Sequence, residues 1–137
     1  MAHYAKIADN KVIDVFVGID ETETAPDGYD TWEDWYNDRK PNITVKRTSY
    51  NTEANVHKEG GTPFRGNYAN IGFIYDSEND VFYEEQPYDS WVLNQSNWTW
   101  EAPISKPDTT NVYEWNEIAY QADNTTAAIV TGKPIFA

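Results

Sequence analysis

Apolar and polar residues alternate over positions 4–7 of the chain and again over positions 12–17. Alternation with a period of two is typical of a strand that has one buried face. Between the two stretches stand Asp9 and Asn10, which tolerate the backbone of a tight turn. The pattern predicts an amino-terminal β-hairpin whose second strand is apolar enough to lie in the middle of a sheet.

One short helix is predicted over residues 32–38. Thr31 is a good N-cap residue, and Asp34 stands at the third helical position. Three aromatic residues recur on one face of this helix, namely Trp32, Trp35 and Tyr36. A proline at position 41 ends the segment, and residues 43–50 return to the alternation of a strand.

From residue 73 to residue 120 the chain repeats one pattern three times. Each copy has an aromatic residue, a spacer, an apolar residue, Asp or Asn, a polar turn and a second aromatic residue. The copies begin at Phe73, Trp91 and Tyr113. Because aromatic residues favour strands while Asp and Asn favour turns, each copy predicts a β-hairpin. The expected fold is mainly β, with tandem hairpins forming an antiparallel sheet or a small sandwich.

Residues 51–70 are rich in Gly, Asn and Pro, with the sequence GGTP at positions 60–63. A segment of this length without regular structure is usually functional or an interaction arm. We therefore expect a single β-rich domain over residues 1–121, with residues 51–70 as a long Gly-rich arm extending from it. Residues 122–137 form a tail with an apolar tip, which is either a docking segment or a last strand of the sheet.

The formal net charge of −13 at pH 7 narrows the classes of function. An acidic surface repels phosphate backbones and anionic membranes, so neither nucleic acid nor membrane is an expected partner. The sequence contains no cysteine, which excludes disulfides and thiolate metal sites. It also has no apolar run of transmembrane length and no secretory signal, so synthesis as a soluble cytoplasmic product is expected.

The residue types that catalysis needs do not occur in a productive pattern. His3 and His57 are the only histidines, and no pair of carboxylates is singled out by its spacing for glycoside hydrolysis. The sequence has no phosphate-binding glycine motif and no strained serine elbow. A protein without enzymatic activity, cofactor or metal is therefore expected.

Residues 76–80 place oxygen ligands at alternate positions, as the beginning of a calcium loop does. An EF-hand is excluded because Val81 stands where glycine is required and Pro87 where a bidentate glutamate is required. Two interpretations stay open, a weak cation site between acidic loops and a plain hairpin turn.

The aromatic residues of the repeats also have two interpretations. They can form a shared core, since a single hairpin is not stable alone. Flat aromatic rings can also stack on sugar rings, and alternation leaves some of them on the opposite face of the hairpins. The candidates for contact with a glycan or a partner are Trp91, Trp98 and Trp100.

Several longer motifs extend over nearly the whole chain up to residue 120. They are HYAKI at 3–7, YNT at 50–52, VH at 56–57, GGTPFRGNYANIGFIYD at 60–76, QPYDSWVLN at 86–94, WEAP at 100–103 and YEWN at 113–116. With these motifs the sequence resembles a family of small acidic proteins of tailed phages that infect marine cyanobacteria and related hosts. Such proteins are mostly described as hypothetical or virion structural proteins. This chain departs from the family pattern in a less apolar segment near residues 32–36 and a longer tail after residue 120.

The resemblance implies a non-catalytic structural protein of a tailed bacteriophage particle, made in the host cytoplasm and located in the virion. Capsid-exterior decoration is the expected role. A tail or fibre accessory protein, a glycan-binding host-adhesion module and an early host-takeover protein are alternatives. The expected partners are other virion proteins, the major capsid protein first and tail proteins next, and a homo-oligomer is compatible with the sequence.

The residues expected to bind the partner lie in the arm and in the tail. The arm is the least acidic part of the chain, because His57, Lys58 and Arg65 are its cations. The full set of expected partner-binding residues is His57, Lys58, Phe64, Arg65, Tyr68, Ile129, Val130, Ile135 and Phe136.

Overall fold

The structure, a computed structural model, describes residues 1–106, 108, 110 and 115–122. Its elements are β1 (Ala2–Ala8), β2 (Lys11–Gly18), α1 (Trp32–Asp38), β3 (Thr44–Thr48), β4 (Thr52–Glu53), β5 (Val56–His57), β6 (Ile74–Asp76), β7 (Val81–Tyr83), β8 (Val92–Asn94), β9 (Thr99–Glu101) and α2 (Glu117–Ala122). This order confirms the predicted mainly β fold class. Neither α1 nor α2 is long and apolar enough to cross a membrane.

The chain divides into two compact units. The first contains residues 1–85 and 94–99, and the second contains residues 86–93 and 100–137. This division does not coincide with the limits expected from the sequence, which set residues 1–121 apart from a tail at 122–137. A single domain over residues 1–121 stays a prediction.

The first unit contains a five-stranded antiparallel sheet with the order β3-β1-β2-β6-β7. The predicted amino-terminal hairpin is confirmed. Strands β1 and β2 pair from Ala2–Gly18 to Ala8–Lys11, with one bulge. Asp9 and Asn10 form the turn with φ values of 51° and 63°, in the left-handed region that short polar residues tolerate. The first aromatic repeat is the hairpin β6–β7, as predicted.

Apolar clusters pack on both faces of the sheet. On one face α1 packs its aromatic side against Tyr4 and Phe16 through Trp32 and Tyr36. The helix begins as predicted, because the Thr31 hydroxyl accepts the Asp34 N–H at 3.1 Å. A second core forms between Ala5, Ile7 and Val12 of the β1–β2 hairpin and Ala69, Tyr75 and Phe82 from later in the chain. The β6–β7 hairpin and the end of the 51–70 segment therefore supply this second core.

The third aromatic repeat does not form the hairpin that the sequence predicts. Residues Glu117–Ala122 are helical, and the Asn116 side chain accepts the Ala119 N–H at 3.0 Å. Asn is favoured both in tight turns and at helix N-caps, so the same residue fits either structure. The second repeat does form a hairpin, β8–β9, which is a separate two-stranded sheet.

The 51–70 segment is long and Gly-rich, as expected, and both of its ends are packed within the first unit. Thr52 and Ala69 are fully buried. The Asn67 side chain donates to the carbonyl oxygens of Phe82 and Trp98 at 2.9 and 2.8 Å. These polar side chains replace regular backbone pairing, which is why a segment with little periodicity can lie against the first unit.

The outer edge of β3 is closed by side chains instead of another strand. The Val45 N–H donates to Asn37 Oδ1 at 2.6 Å, and Asn37 Nδ2 donates back to the Val45 carbonyl at 2.7 Å. Two residues further along β3, the Arg47 N–H donates to Glu33 Oε2 at 2.6 Å. The Arg47 carbonyl accepts Arg65 Nη1 at 2.9 Å. Two residues of α1, Glu33 and Asn37, therefore imitate part of a neighbouring strand.

The outer edge of β7 is closed in a similar way. The Phe82 N–H donates to the Arg65 carbonyl at 2.9 Å, and the Phe82 carbonyl accepts the Asn67 amide at the same distance. Unpaired sheet edges recruit strands from other chains and lead to aggregation. Side-chain and loop contacts thus protect both terminal strands of the five-stranded sheet.

We predict that Asn37→Ala destabilises the protein by about 2 kcal/mol, since it leaves the N–H and C=O of buried Val45 without partners. Chemical denaturation of the variant and of the wild type measures this difference. Asn70→Ala, at an exposed position, is the matched control and should change the free energy of unfolding by less than about 0.5 kcal/mol. Equal effects of the two substitutions would contradict the role given to Asn37.

Candidate interaction surface

Arg65 lies at the centre of the polar contacts of the first unit. Its Nη1 is 2.6 Å from Glu33 Oε2, and its Nη2 is 3.3 Å from Glu33 Oε1. Its Nε is 3.0 Å from Asp80 Oδ1. The Arg65 and Glu33 side chains are only 12% and 16% exposed. The sequence offered Arg65 as a cation for a partner, whereas the structure places its guanidinium inside the unit.

The backbone of Arg65 explains how its side chain turns inward. Its φ angle is 52°, in the left-handed region, and Gly66 follows with a φ of 76°. The Arg65 carbonyl accepts the N–H groups of Asn67 and Phe82, both at 2.9 Å. Arg65 therefore joins α1, β3 and β7 through its side chain and its main chain together.

The other predicted partner-binding residues of the arm have different environments. Lys58 is exposed, 4.0 Å from Glu53, and is still accessible to a partner. His57 accepts the Glu59 N–H at 3.0 Å through Nδ1. The two aromatic residues of the set, Phe64 and Tyr68, are partly buried. The Phe64 ring centroid lies 3.9 Å from Cζ of the Arg47 guanidinium, and the Tyr68 ring contacts His3. Their role in binding stays a prediction.

The four predicted tail residues, Ile129, Val130, Ile135 and Phe136, lie outside the described residues. Their role in partner binding, like the docking function proposed for residues 122–137, stays a prediction.

A cavity of about 410 Å³ lies between α1, the loop at residues 20–31 and the end of β3. Glu21, Glu33, Arg47 and Arg65 are among its lining residues, and each guanidinium is already paired with a glutamate. Burial, and the neighbouring Tyr36 and Glu21, raise the pKa of Tyr4 to about 12, so its hydroxyl stays neutral and donates to the Ile19 carbonyl. These groups are committed to internal contacts, which favours a structural role for the cavity wall.

Three rings form a second feature, which we call the aromatic cluster: His3, Tyr50 and Tyr68. His3 lies between the two tyrosines, with ring centroids 5.3 Å from Tyr50 and 5.7 Å from Tyr68, both edge to face. An open cavity of about 400 Å³ is lined by Met1, His3 and Tyr50. Because Tyr50 and Met1 are exposed, this end of the sheet presents apolar surface to solvent.

The acidic turn at residues 76–80 is a hairpin turn stabilised by its own side chains. Asp76 Oδ1 accepts the N–H groups of Glu78 and Asn79 at 3.0 and 3.1 Å. Asp80 Oδ1 accepts the Tyr75 hydroxyl at 2.5 Å and pairs with Arg65. These contacts favour the plain turn over the cation site. Among the described residues, no group of three or more His, Cys, Asp or Glu side chains is arranged to hold a metal ion.

Two of the three candidate tryptophans contact another aromatic ring within the protein. In the first unit, Trp98 stacks on Tyr83 with a centroid distance of 6.1 Å and an interplanar angle of 10°. In the second unit, Trp91 meets Trp115 edge to face at 5.9 Å. Trp100 is half-buried on β9. These contacts favour the core interpretation, while glycan stacking stays a prediction.

Glu117 organises the second unit, a role that no motif of the sequence indicates. Its carboxylate accepts the Ser90 hydroxyl at 2.5 Å, the Trp115 indole N–H at 2.8 Å and the Gln121 amide at 2.7 Å. Burial opposes the charged form, but these hydrogen bonds outweigh it and lower the pKa of Glu117. The contacts join α2 to residues 86–93, which are distant in the sequence.

Comparison of the chain with protein-family models, with curated proteins and with solved structures finds no match.

We predict that Arg65→Met destabilises the protein by about 3 kcal/mol, because it leaves the largely buried Glu33 carboxylate with only the more distant Lys46 ammonium, 3.5 Å away, as its cation. Denaturant titration measures the loss. Lys58→Met removes an exposed cation of the same segment and should cost less than about 0.5 kcal/mol. Adding Glu33→Gln to Arg65→Met should recover part of the stability; strict additivity of the two substitutions would contradict a coupled pair.

We also predict that stability falls when the pH drops below about 4, the region of the unfolded-state carboxyl pKa. Burial raises the pKa of Asp80, but the Tyr75 hydrogen bond and the Arg65 charge outweigh it and the net pKa is lowered. A carboxyl with a lowered folded-state pKa stabilises above its unfolded-state pKa and loses that contribution as the pH falls through the folded-state pKa. The free energy of unfolding measured between neutral and acidic pH tests this sign.

Asp80→Asn should make the acid branch of that profile less steep, since the amide keeps an acceptor for Tyr75 but cannot titrate. Asp27→Asn, at an exposed position, serves as the control for loss of one negative charge. If the acid branch of Asp80→Asn is as steep as that of the wild type, the role given to the Arg65–Asp80 contact is contradicted.

Proposed function

We propose that the protein is a non-catalytic structural protein of a tailed bacteriophage particle, and that it decorates the exterior of the capsid. The resemblance of the sequence to small acidic cyanophage proteins supports a location in the phage particle. The closed edges of β3 and β7 are the observation that carries the role, because a protein displayed at high local density must not add strands to its neighbours.

The charge of the chain supports the same proposal. A net charge of −13 keeps copies of the protein apart in solution and on a crowded surface. Attachment then needs a partner that offers complementary groups, for which the major capsid protein is the first candidate and a tail protein the second. The polar groups of the first unit that could have served catalysis, such as Tyr4 and Asp80, are committed to internal contacts.

A glycan-binding module of a tail fibre is the second candidate function. The aromatic cluster favours it, because Tyr50 is exposed beside an open cavity of about 400 Å³, which is within the size range of small-ligand sites. The location on the particle separates the two functions, since decoration requires many copies on the head and adhesion requires few copies at the tail.

We predict that the protein is present in purified phage particles in many copies per head. Quantitative mass spectrometry of gradient-purified particles measures the copy number, and labelling with a specific antibody locates the protein by electron microscopy. Label over the head supports capsid decoration, whereas label at the fibres supports the second candidate. A protein found in infected cells but missing from purified particles would contradict both.

A further inference from the structure

We propose that residues 15–17 of β2 form an open sheet edge that binds an extended, basic segment of a partner protein as an added strand. We call this stretch the β2 edge. The proposal relies on the proposed function only for the class of the occupant, which is another protein. Peptide binding can be measured without a particle, so failure of either proposal can be told from failure of the other.

The direction of the backbone groups on β2 follows from the register of the sheet. On β3, Val45 and Arg47 point their N–H and C=O groups away from β1, towards side chains of α1 and Arg65. In an antiparallel ladder this direction alternates along each strand. The backbone N–H and C=O groups of Lys46 and Thr48 therefore point towards β1, and those of their partners on β1 point towards β3.

The same alternation, carried one strand further, places the β2 edge. Tyr4 of β1 lies between two residues whose backbone groups point towards β3. Its own N–H and C=O groups therefore point towards β2, where its partner is Phe16. Val15 and Val17, on either side of Phe16, must then direct their N–H and C=O groups away from β1. The Val15 N–H confirms this direction for its own residue, because it donates to the Asp14 side chain at 2.9 Å and not to β1.

The next strand of the sheet does not reach these groups. The pairing of β2 with the β6 segment ends at Val12, whose N–H donates to the Phe73 carbonyl and whose carbonyl accepts the Gly72 N–H, both at 2.8 Å. Within the part of the chain that the structure describes, the Val15 carbonyl and both backbone groups of Val17 have no hydrogen-bond partner. In contrast to the edges of β3 and β7, this stretch can accept a strand.

The side chains around the β2 edge indicate what the added strand carries. Val17 is 55% exposed and pairs across the sheet with His3, so apolar surface continues from the β2 edge to the aromatic cluster. On the opposite face the carboxylate of Asp14 lies beside the edge, 3.6 Å from the Lys6 ammonium, and is half-exposed, so it can accept a second cation. Because side chains alternate along a strand, an occupant with apolar residues on the Val17 face and basic residues on the Asp14 face fits both.

Charge decides between a foreign segment and a second copy of the chain. A second copy would bring together two chains of net charge −13, whose repulsion opposes the contact. The same negative charge attracts a basic segment, and complementary charge also speeds the encounter of the two partners. We therefore assign the β2 edge to an extended segment of a different protein.

The probe is a short synthetic peptide of alternating lysine and valine residues, added to the isotope-labelled protein and followed by amide NMR. We expect the Val17 amide to shift and its hydrogen exchange to slow as the peptide binds. Val17→Lys should weaken binding about tenfold, through loss of the apolar contact on this face and through charge repulsion with the basic peptide. Val56→Lys is the matched control, because Val56 is also an exposed strand valine and the charge change is identical.

A second peptide of the same charge, methylated at the backbone nitrogens of one edge, separates strand addition from general electrostatic attraction. Methylation should abolish the Val17 response if the peptide adds as a strand. Equal binding of both peptides, or equal effects of Val17→Lys and Val56→Lys, would overturn the proposal. A dimer of the protein alone that Val17→Lys dissociates would also overturn it, because the occupant would then be a second copy.

Discussion

The bidentate contact between Arg65 and Glu33 is the interaction on which the first unit depends most. Through it one guanidinium holds α1 against β3, while the carbonyl of the same residue holds β7. Both side chains are largely buried, so each charge needs opposite charge close by, to which Lys46 also contributes for Glu33 and Asp80 for Arg65. The 51–70 segment, which carries Arg65, is therefore part of the framework that orders the sheet.

This constraint also determines which surfaces are left for a partner. Glu33, Asn37, Asn67 and Arg65 occupy the edges of β3 and β7, and the helix covers one face of the sheet. What remains is the exposed apolar end of the other face, where Val17 and Tyr50 stand. A protein closed elsewhere by its own side chains can be displayed at high density and still bind in one defined place.

Local signals were enough to predict the amino-terminal hairpin, α1 and the β6–β7 hairpin, because turn residues, a cap and alternation act within a few positions. The roles of Arg65, Asn37 and Glu117 could not be predicted, since each depends on residues brought near only by folding. The hairpin predicted for the third repeat was wrong for a different reason, because Asn116 suits a turn and a helix cap equally. The internal pairing of Arg65 could not be predicted either, because the sequence does not show which cations of the 51–70 segment are already paired.

The polar contacts also explain how a strongly acidic chain keeps such short strands together. Strands β6 and β7 contain three residues each, too few for backbone pairing alone to hold them. Tyr75 and Phe82 supply apolar burial, and Asp80 ties the turn of the hairpin to Arg65. Some of the negative charge is thus placed where it stabilises the fold, while charge on the surface opposes compactness and self-association alike. Because Asp80 serves both structure and charge, acid that removes the repulsion between copies also weakens the Arg65–Asp80 contact.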